Sequence, residues 1–189
     1  MEDILEKIRS YADRAHGDQK RKYTGERYIV HPVRVMNICR EYTDELPVLA
    51  AALLHDVLED TPVTAEELSK YLHLVMSKED AEKTLFLTVE LTDIFVKEDY
   101  PKLNRKKRKF QEAERLSKTS PEAQTIKYAD AIDNSLDITK NDLDFARTFL
   151  RENKQLLESI TKGNQELYHR AVKTVDECIE EVDRKTESS

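Results

Sequence analysis

The stretch His55-Asp56-Val-Leu-Glu59-Asp60 holds one imidazole and three carboxylates within six residues. It closes an apolar run, Leu46 to Leu54, of the kind that fills the middle of a core. Ionisable groups at the end of a buried helix are costly unless they are paired or bound to a cation. His55 and Glu59 are spaced i, i+4, as are Asp56 and Asp60, so all four can share one side of a helical turn. An adjacent His and Asp can offer a ring nitrogen and a carboxylate oxygen to one cation. His31, just before Pro32 in an N-cap-like place, can point a neutral imidazole at a neighbour. Asp130 stands in Lys127-Tyr-Ala-Asp130-Ala-Ile-Asp133-Asn134, where Lys127, Asp130 and Asn134 at i, i+3, i+7 present one helix face. Taken singly, these are also the marks of a polar helix end, a capping histidine and a solvated face. Together, two histidines and two carboxylates make a mixed N/O set, suited to Mn²⁺, Fe²⁺ or Zn²⁺ rather than to Ca²⁺ or a thiolate site.

The elements that must hold these groups are helical. Ile4, Leu5, Ile8, Tyr11, Ala12 and Ala15 mark a first amphipathic helix. Residues 17 to 30 break it with two glycines and predict a loop. Pro32 suits the first turn of a helix running to about Tyr42. The core helix spans about Glu45 to Asp60 and ends at Thr61-Pro62, because the residue before proline avoids α geometry. Thr64-Ala-Glu-Glu67 is a capping box, and Ser120-Pro-Glu-Ala is an N-cap with proline at the first helical position. Further helices are expected from about Lys78 to Phe95, Lys102 to Ser117, Asp144 to Thr161 and Gln165 to Glu181. The expectation is an all-α fold, a bundle of eight or nine helices, in one domain over 1–189 with a frayed tail at 184–189.

Composition narrows the chemistry. Three glycines stand where average usage would give roughly thirteen, which disfavours hairpin-rich β folds. Gly17, Gly25 and Gly163 cannot form a glycine-rich phosphate loop. A net charge of −7 disfavours wholesale binding to nucleic acid or to an anionic membrane. An anionic ligand must then meet local cations, and two clusters exist: Lys20-Arg21-Lys22, and Lys102 with Arg105, Lys106, Lys107, Arg108 and Lys109. Met1–Ser10 is acidic where a signal peptide would be basic. Cys39 and Cys178 form no CxxC and sit in helical patterns, so buried thiols in a cytoplasmic protein are expected.

Three motifs in order carry a resemblance. They are Ala15-His-Gly-Asp-Gln-Lys-Arg-Lys-Tyr-Thr-Gly-Glu-Arg-Tyr-Ile-Val-His31-Pro32, then Ala51-Ala-Leu-Leu-His55-Asp56-Val-Leu-Glu59-Asp60-Thr61, and Lys127-Tyr-Ala-Asp130-Ala-Ile-Asp133-Asn134. The sequence resembles the HD-domain metal-dependent phosphohydrolases, in the alarmone-hydrolase branch of the RelA/SpoT homologues. The resemblance implies an HD-domain helical bundle that removes the 3′-pyrophosphate of ppGpp or pppGpp. It implies one Mn²⁺ held by His31, His55, Asp56 and Asp130, with Glu59 and Asp60 positioning and activating water. It also implies that Asn134 holds the nucleoside sugar and that the Arg21-Lys22 region forms a cationic wall against the base. Arg105, Arg108 and Lys109 are the expected phosphate contacts within the second basic cluster.

Two departures bear on substrate. Counting back from His31, the family's base-stacking arginine falls on Lys22, with Arg21 beside it, and arginine stacks on a purine better than lysine does. Asp133 precedes Asn134 where the family usually has an aromatic residue or histidine. Other nucleotides, such as an adenosine alarmone or the 2′-phosphate of NADPH, therefore remain alternatives, as does a binding module without turnover. The resemblance and the length together lead to the expectation of a stand-alone small alarmone hydrolase, without a synthetase domain or regulatory modules.

Overall fold

The computed structural model describes residues 1–187, and among these ten helical segments form, with no strand beyond an isolated bridge between Lys20 and Arg27. Two compact units divide at Thr92/Asp93.

The first unit holds α1 (Glu2–His16), α2 (Val30–Arg40), α3 (Leu46–Leu54), α4 (Val57–Asp60), α5 (Ala65–Val75) and α6 (Lys78–Leu91). Helix α3 is its centre, set against α1, α2 and α6. Every residue from Pro47 to Leu54 is buried, and each large apolar side chain so placed contributes about 1.5–3 kcal/mol relative to exposure. That burial anchors the polar residues that follow. The expected single helix from Glu45 to Asp60 is in fact two pieces. It loosens to a turn at His55 and Asp56 and resumes as the single turn α4. Counting that turn with α3 gives nine helices. The Asp60 amide still donates to the Asp56 carbonyl at 2.8 Å, and Thr61 turns extended before Pro62 and stops the chain there. Helix α5 opens on the capping box, Thr64 Oγ1 accepting from the Glu67 amide and Glu67 accepting from the Thr64 amide.

The second unit holds α7 (Arg105–Leu116), α8 (Pro121–Asn141), α9 (Leu143–Ser159) and α10 (Gln165–Glu187). Helix α8 starts at the Ser120 cap with Pro121 behind it and packs on α9 and α10. Helix α10 runs on past Glu181, so Arg184 to Glu187, expected to fray, are helical, and Thr186 donates to the Val182 carbonyl. Ser188 and Ser189 lie outside the described residues. The α9–α10 turn is clamped onto α8: Tyr128 donates to the Ile160 carbonyl at 2.9 Å and accepts from the Gly163 amide at 3.1 Å. The Asn164 amide donates to Thr125 Oγ1 at 2.9 Å.

Gly163 serves close approach. A Cβ there would lie 2.6 Å from Tyr128 Cε2 and 2.8 Å from the Thr125 backbone nitrogen. Gly163→Ala is therefore expected to destabilise the protein by about 1–3 kcal/mol, the usual range for overpacking, read as a lower urea midpoint at unchanged m-value. A wild-type midpoint would show that the turn can lift away from α8 without cost.

Candidate metal centre

The junction between α3 and α4 brings donor atoms together. One ligating atom each from His31, His55 and Asp56 lies within 4.8 Å of the others. Asp56 Oδ2 is 3.1 Å from His55 Nε2 and 3.6 Å from His31 Nε2. The two imidazoles are 1% and 2% exposed and meet edge to face, 5.1 Å between centroids.

Each position has a local cause. His55 is the C-cap of α3, where the helix end carries partial negative charge that favours a cation. Its Nδ1 lies 2.8 Å from the Ala52 carbonyl. A carbonyl only accepts, so Nδ1 carries the proton and Nε2 presents its lone pair, the arrangement metal-bound histidines commonly show. His31 is set by Pro32 behind it, within the first turn of α2 rather than capping it, because α2 begins at Val30. Its amide donates to the Tyr28 carbonyl at 3.0 Å. Two ring nitrogens and a carboxylate oxygen at this spacing fit a divalent transition metal.

The acidic pair after the junction is tied in by a residue that sequence reasoning missed. Tyr28 places its hydroxyl 2.8 Å from Asp56 Oδ2 and 2.8 Å from Asp60 Oδ2. Burial, and then the neighbouring Asp56 and Asp60, push the phenol pKa up, so it stays a donor. The Asp60 carboxyl is raised above the ordinary carboxylate range, first by burial and then by Asp56, against the opposing effect of the Tyr28 hydrogen bond. Glu59 sits beside it on α4, and both residues are exposed by surface area.

The loop that carries Tyr28 is a small ordered hairpin. The Arg21 amide donates to Glu26 and the Tyr28 amide to Gln19, while Gly25, at φ 69°, makes the reversal that other residues resist. The Arg21 guanidinium lies 5.8 Å from the Tyr28 ring centre. Lys22 instead donates to Tyr23 and covers that ring at 4.6 Å.

In the second unit, Asp130 is 7% exposed on α8 and bracketed as its spacing predicts. Lys127 Nζ is 3.0 Å from Oδ2, and Asn134 Nδ2 is 2.5 Å from Oδ1. The basic cluster has internal partners. Arg105 makes a two-pronged pair with Glu152 at 2.7 Å and lies 5.0 Å from the Phe145 ring centre. Lys109 pairs with Asp93 at 3.1 Å, and Arg108 donates to the Leu103 carbonyl. Arg105 and Lys109 thus have local counter-charges, which weakens their case as phosphate contacts.

Comparison with known proteins adds the family context. A family model described as HD domain matches residues 28–135. The mouse guanosine-3′,5′-bis(diphosphate) 3′-pyrophosphohydrolase MESH1 is 33% identical over 133 residues, 69% of this chain and 66% of its own. A probable enzyme of the same name from Mycoplasma pneumoniae is 29% identical over 178 residues, 87% of this chain and 21% of its own. The Aquifex aeolicus enzyme of that name is 44% identical over 66 residues, 35% of this chain but only 9% of its own length. Among solved structures, a metazoan orthologue of SpoT that hydrolyses ppGpp matches with TM-score 0.75 and 27% identity, over 94% of each chain. The chain thus spans less than two thirds of the length of these curated relatives.

Proposed function

The chain belongs to the HD domain family, and from that premise we propose that it hydrolyses the 3′-pyrophosphate of guanosine alarmones in a divalent-metal-dependent reaction. The observation that carries this reading is the set of His31, His55 and Asp56 donor atoms gathered within 4.8 Å at the end of the core helix. The mixed N/O set suits Mn²⁺, Fe²⁺ or Zn²⁺; the resemblance singles out Mn²⁺ and adds Asp130 of the third motif to the proposed ligands. The HD match runs from residue 28 to 135, across the division at Thr92/Asp93, which supports the reading of 1–189 as one functional domain. Among the described residues no helix is long and apolar enough to cross a membrane. Cys39 and Cys178 are buried, which supports a reducing, cytoplasmic setting.

When bound, a divalent metal supplies Lewis-acid charge for a phosphoryl oxygen and for water. The residues of the chain do the rest. Asp60, its carboxyl raised by burial and by Asp56, is the proton acceptor for attacking water. A carboxylate shifted toward neutrality is a more effective base near the operating pH. Glu59 orients the same water. Tyr28 donates a hydrogen bond across Asp56 and Asp60 and keeps the metal-facing and water-facing carboxylates in register. Arg21, near the Tyr28 face, and Asn134 are proposed to hold base and sugar.

The test is a substrate and metal panel. With Mn²⁺ and ppGpp the protein should release pyrophosphate and GDP, and EDTA should stop the reaction until metal is restored. Adenosine analogues and NADPH should turn over more slowly. Release of pyrophosphate from none of the guanosine substrates with any of Mn²⁺, Fe²⁺, Zn²⁺ or Mg²⁺ would sink the proposal, and tight ppGpp binding without turnover would point to a binding module.

A further inference from the structure

His16 ends α1 and is 4% exposed, close to the acidic cluster yet outside the candidate metal ligands. Its Nδ1 lies 2.9 Å from Gln19 Oε1, and Gln19 Nε2 donates to the Asp60 backbone carbonyl at 2.7 Å. The second bond fixes the first. A carbonyl can only accept, so the Gln19 nitrogen must face Asp60 and its oxygen must face the imidazole. His16 therefore carries its proton on Nδ1. Its Nε2 is buried without a hydrogen-bond partner among the described residues.

A stranded nitrogen is a cost that packing alone does not explain. A phenylalanine or leucine would fill similar space without desolvating a polar atom. The remaining contacts show what the imidazole contributes. Its ring stacks on Tyr28, 4.4 Å between centroids and 27° between planes, and the Tyr28 hydroxyl lies 2.8 Å from both Asp56 Oδ2 and Asp60 Oδ2. One hydroxyl proton serves two carboxylates, so a small sideways shift of the ring breaks one contact or the other. His16 thus reaches the acidic pair by two routes. The ring sets the Tyr28 side chain, and the Nδ1–H sets Gln19, which holds the main chain at Asp60.

We propose that His16, acting with Gln19, is a positioning residue that fixes Asp60 relative to Asp56, and so the proton acceptor relative to the metal ligand. The inference rests on the proposed hydrolase function for its kinetic consequence, but not for its structural one. The test uses His16→Phe, which keeps a stacking ring and removes the Nδ1–H, together with Gln19→Leu and the double variant. Each is read by kcat and KM for ppGpp with Mn²⁺, by Mn²⁺ titration calorimetry and by thermal melting. Imidazole ¹⁵N NMR of the wild type reads the tautomer directly.

The wild type is expected to show His16 as the Nδ1–H tautomer. Each single variant should lose about tenfold to a hundredfold in kcat, the scale of a small misplacement of a reacting group, with KM and Mn²⁺ affinity changed by less than about threefold. The double variant should lose no more than the worse single, because both act through one hydrogen-bonded line. An unchanged kcat, multiplicative losses, or an Nε2–H tautomer would each overturn the proposal. If His16→Phe melts early, Gln19→Leu with a wild-type melting temperature decides the kinetic point. If the wild type turns over no ppGpp, the functional reading fails, and the NMR tautomer still judges His16.

Discussion

Asp56→Ala is expected to abolish hydrolysis, with kcat down by at least about a thousandfold, and to weaken Mn²⁺ binding by more than about a hundredfold. The reason is the density of roles on one carboxylate. Asp56 Oδ2 lies 3.1 Å from His55 Nε2, 3.6 Å from His31 Nε2 and 2.8 Å from the Tyr28 hydroxyl. Alanine removes the anionic donor from a set that otherwise offers two neutral imidazoles, so the site loses the charge that holds a hydrated cation. Outer-shell partners of metal ligands alone are worth about 10–100-fold in affinity or activity, and loss of a ligand should exceed that. The fold should survive. Asp56 follows a helix whose apolar residues are buried independently of it, and its removal relieves repulsion with Asp60. Calorimetric Mn²⁺ titration, circular dichroism and pyrophosphate release together separate lost metal from lost structure. Wild-type Mn²⁺ affinity in Asp56→Ala would remove Asp56 from the ligand set.

Why the candidate metal triad is legible in the sequence while its support is not follows from where each interaction lives in the chain. His55 and Asp56 are adjacent, and the apolar run before them makes their presence costly, so local sequence alone raises the question of a cation. The Thr64–Glu67 box and the Ser120-Pro121 start are equally local, and both form as read. Tyr28 and Asp60 are 32 residues apart and Gln19 and Asp60 are 41, and no periodicity links them. The signal for His16 and Gln19 was present in the Ala15-His-Gly-Asp-Gln start of the first motif, without anything to say which atoms they serve. The partners of the cations are hidden for the same reason. Arg105 finds Glu152, 47 residues away on α9, and Lys109 finds Asp93, 16 residues back, so a run that looks like a phosphate patch is partly neutralised. The break at His55–Asp56 escaped a periodicity argument because both residues stay close to α geometry while the helix loosens around them.

Asp60→Asn is expected to move activity and stability in opposite directions. Turnover should fall by about 10²–10⁴-fold, the range for loss of a general base, with Mn²⁺ affinity changed by less than about tenfold. The metal-free protein should become more stable at neutral pH. Asp60 has its pKa raised above an ordinary value of 3.8 by burial and by Asp56, so the folded state binds its proton more tightly than the unfolded state. Stability from that preference is fully present below the unfolded value and is lost as pH rises through the folded value. Above it, ionised Asp60 is a net cost. Asparagine carries no charge and keeps an oxygen to accept from Tyr28, so it removes the cost without leaving the hydroxyl stranded. The Asp60 residue is exposed by surface area, and screening limits the gain to below about 1 kcal/mol. Urea unfolding in EDTA should therefore show the variant ahead of wild type at about pH 7 and level with it at about pH 3. An equal gain at both pH values would trace the effect to packing rather than charge, and unchanged turnover would take Asp60 out of the chemistry. A gain in stability with a loss of activity is the pattern of a residue placed at a structural cost for what it does.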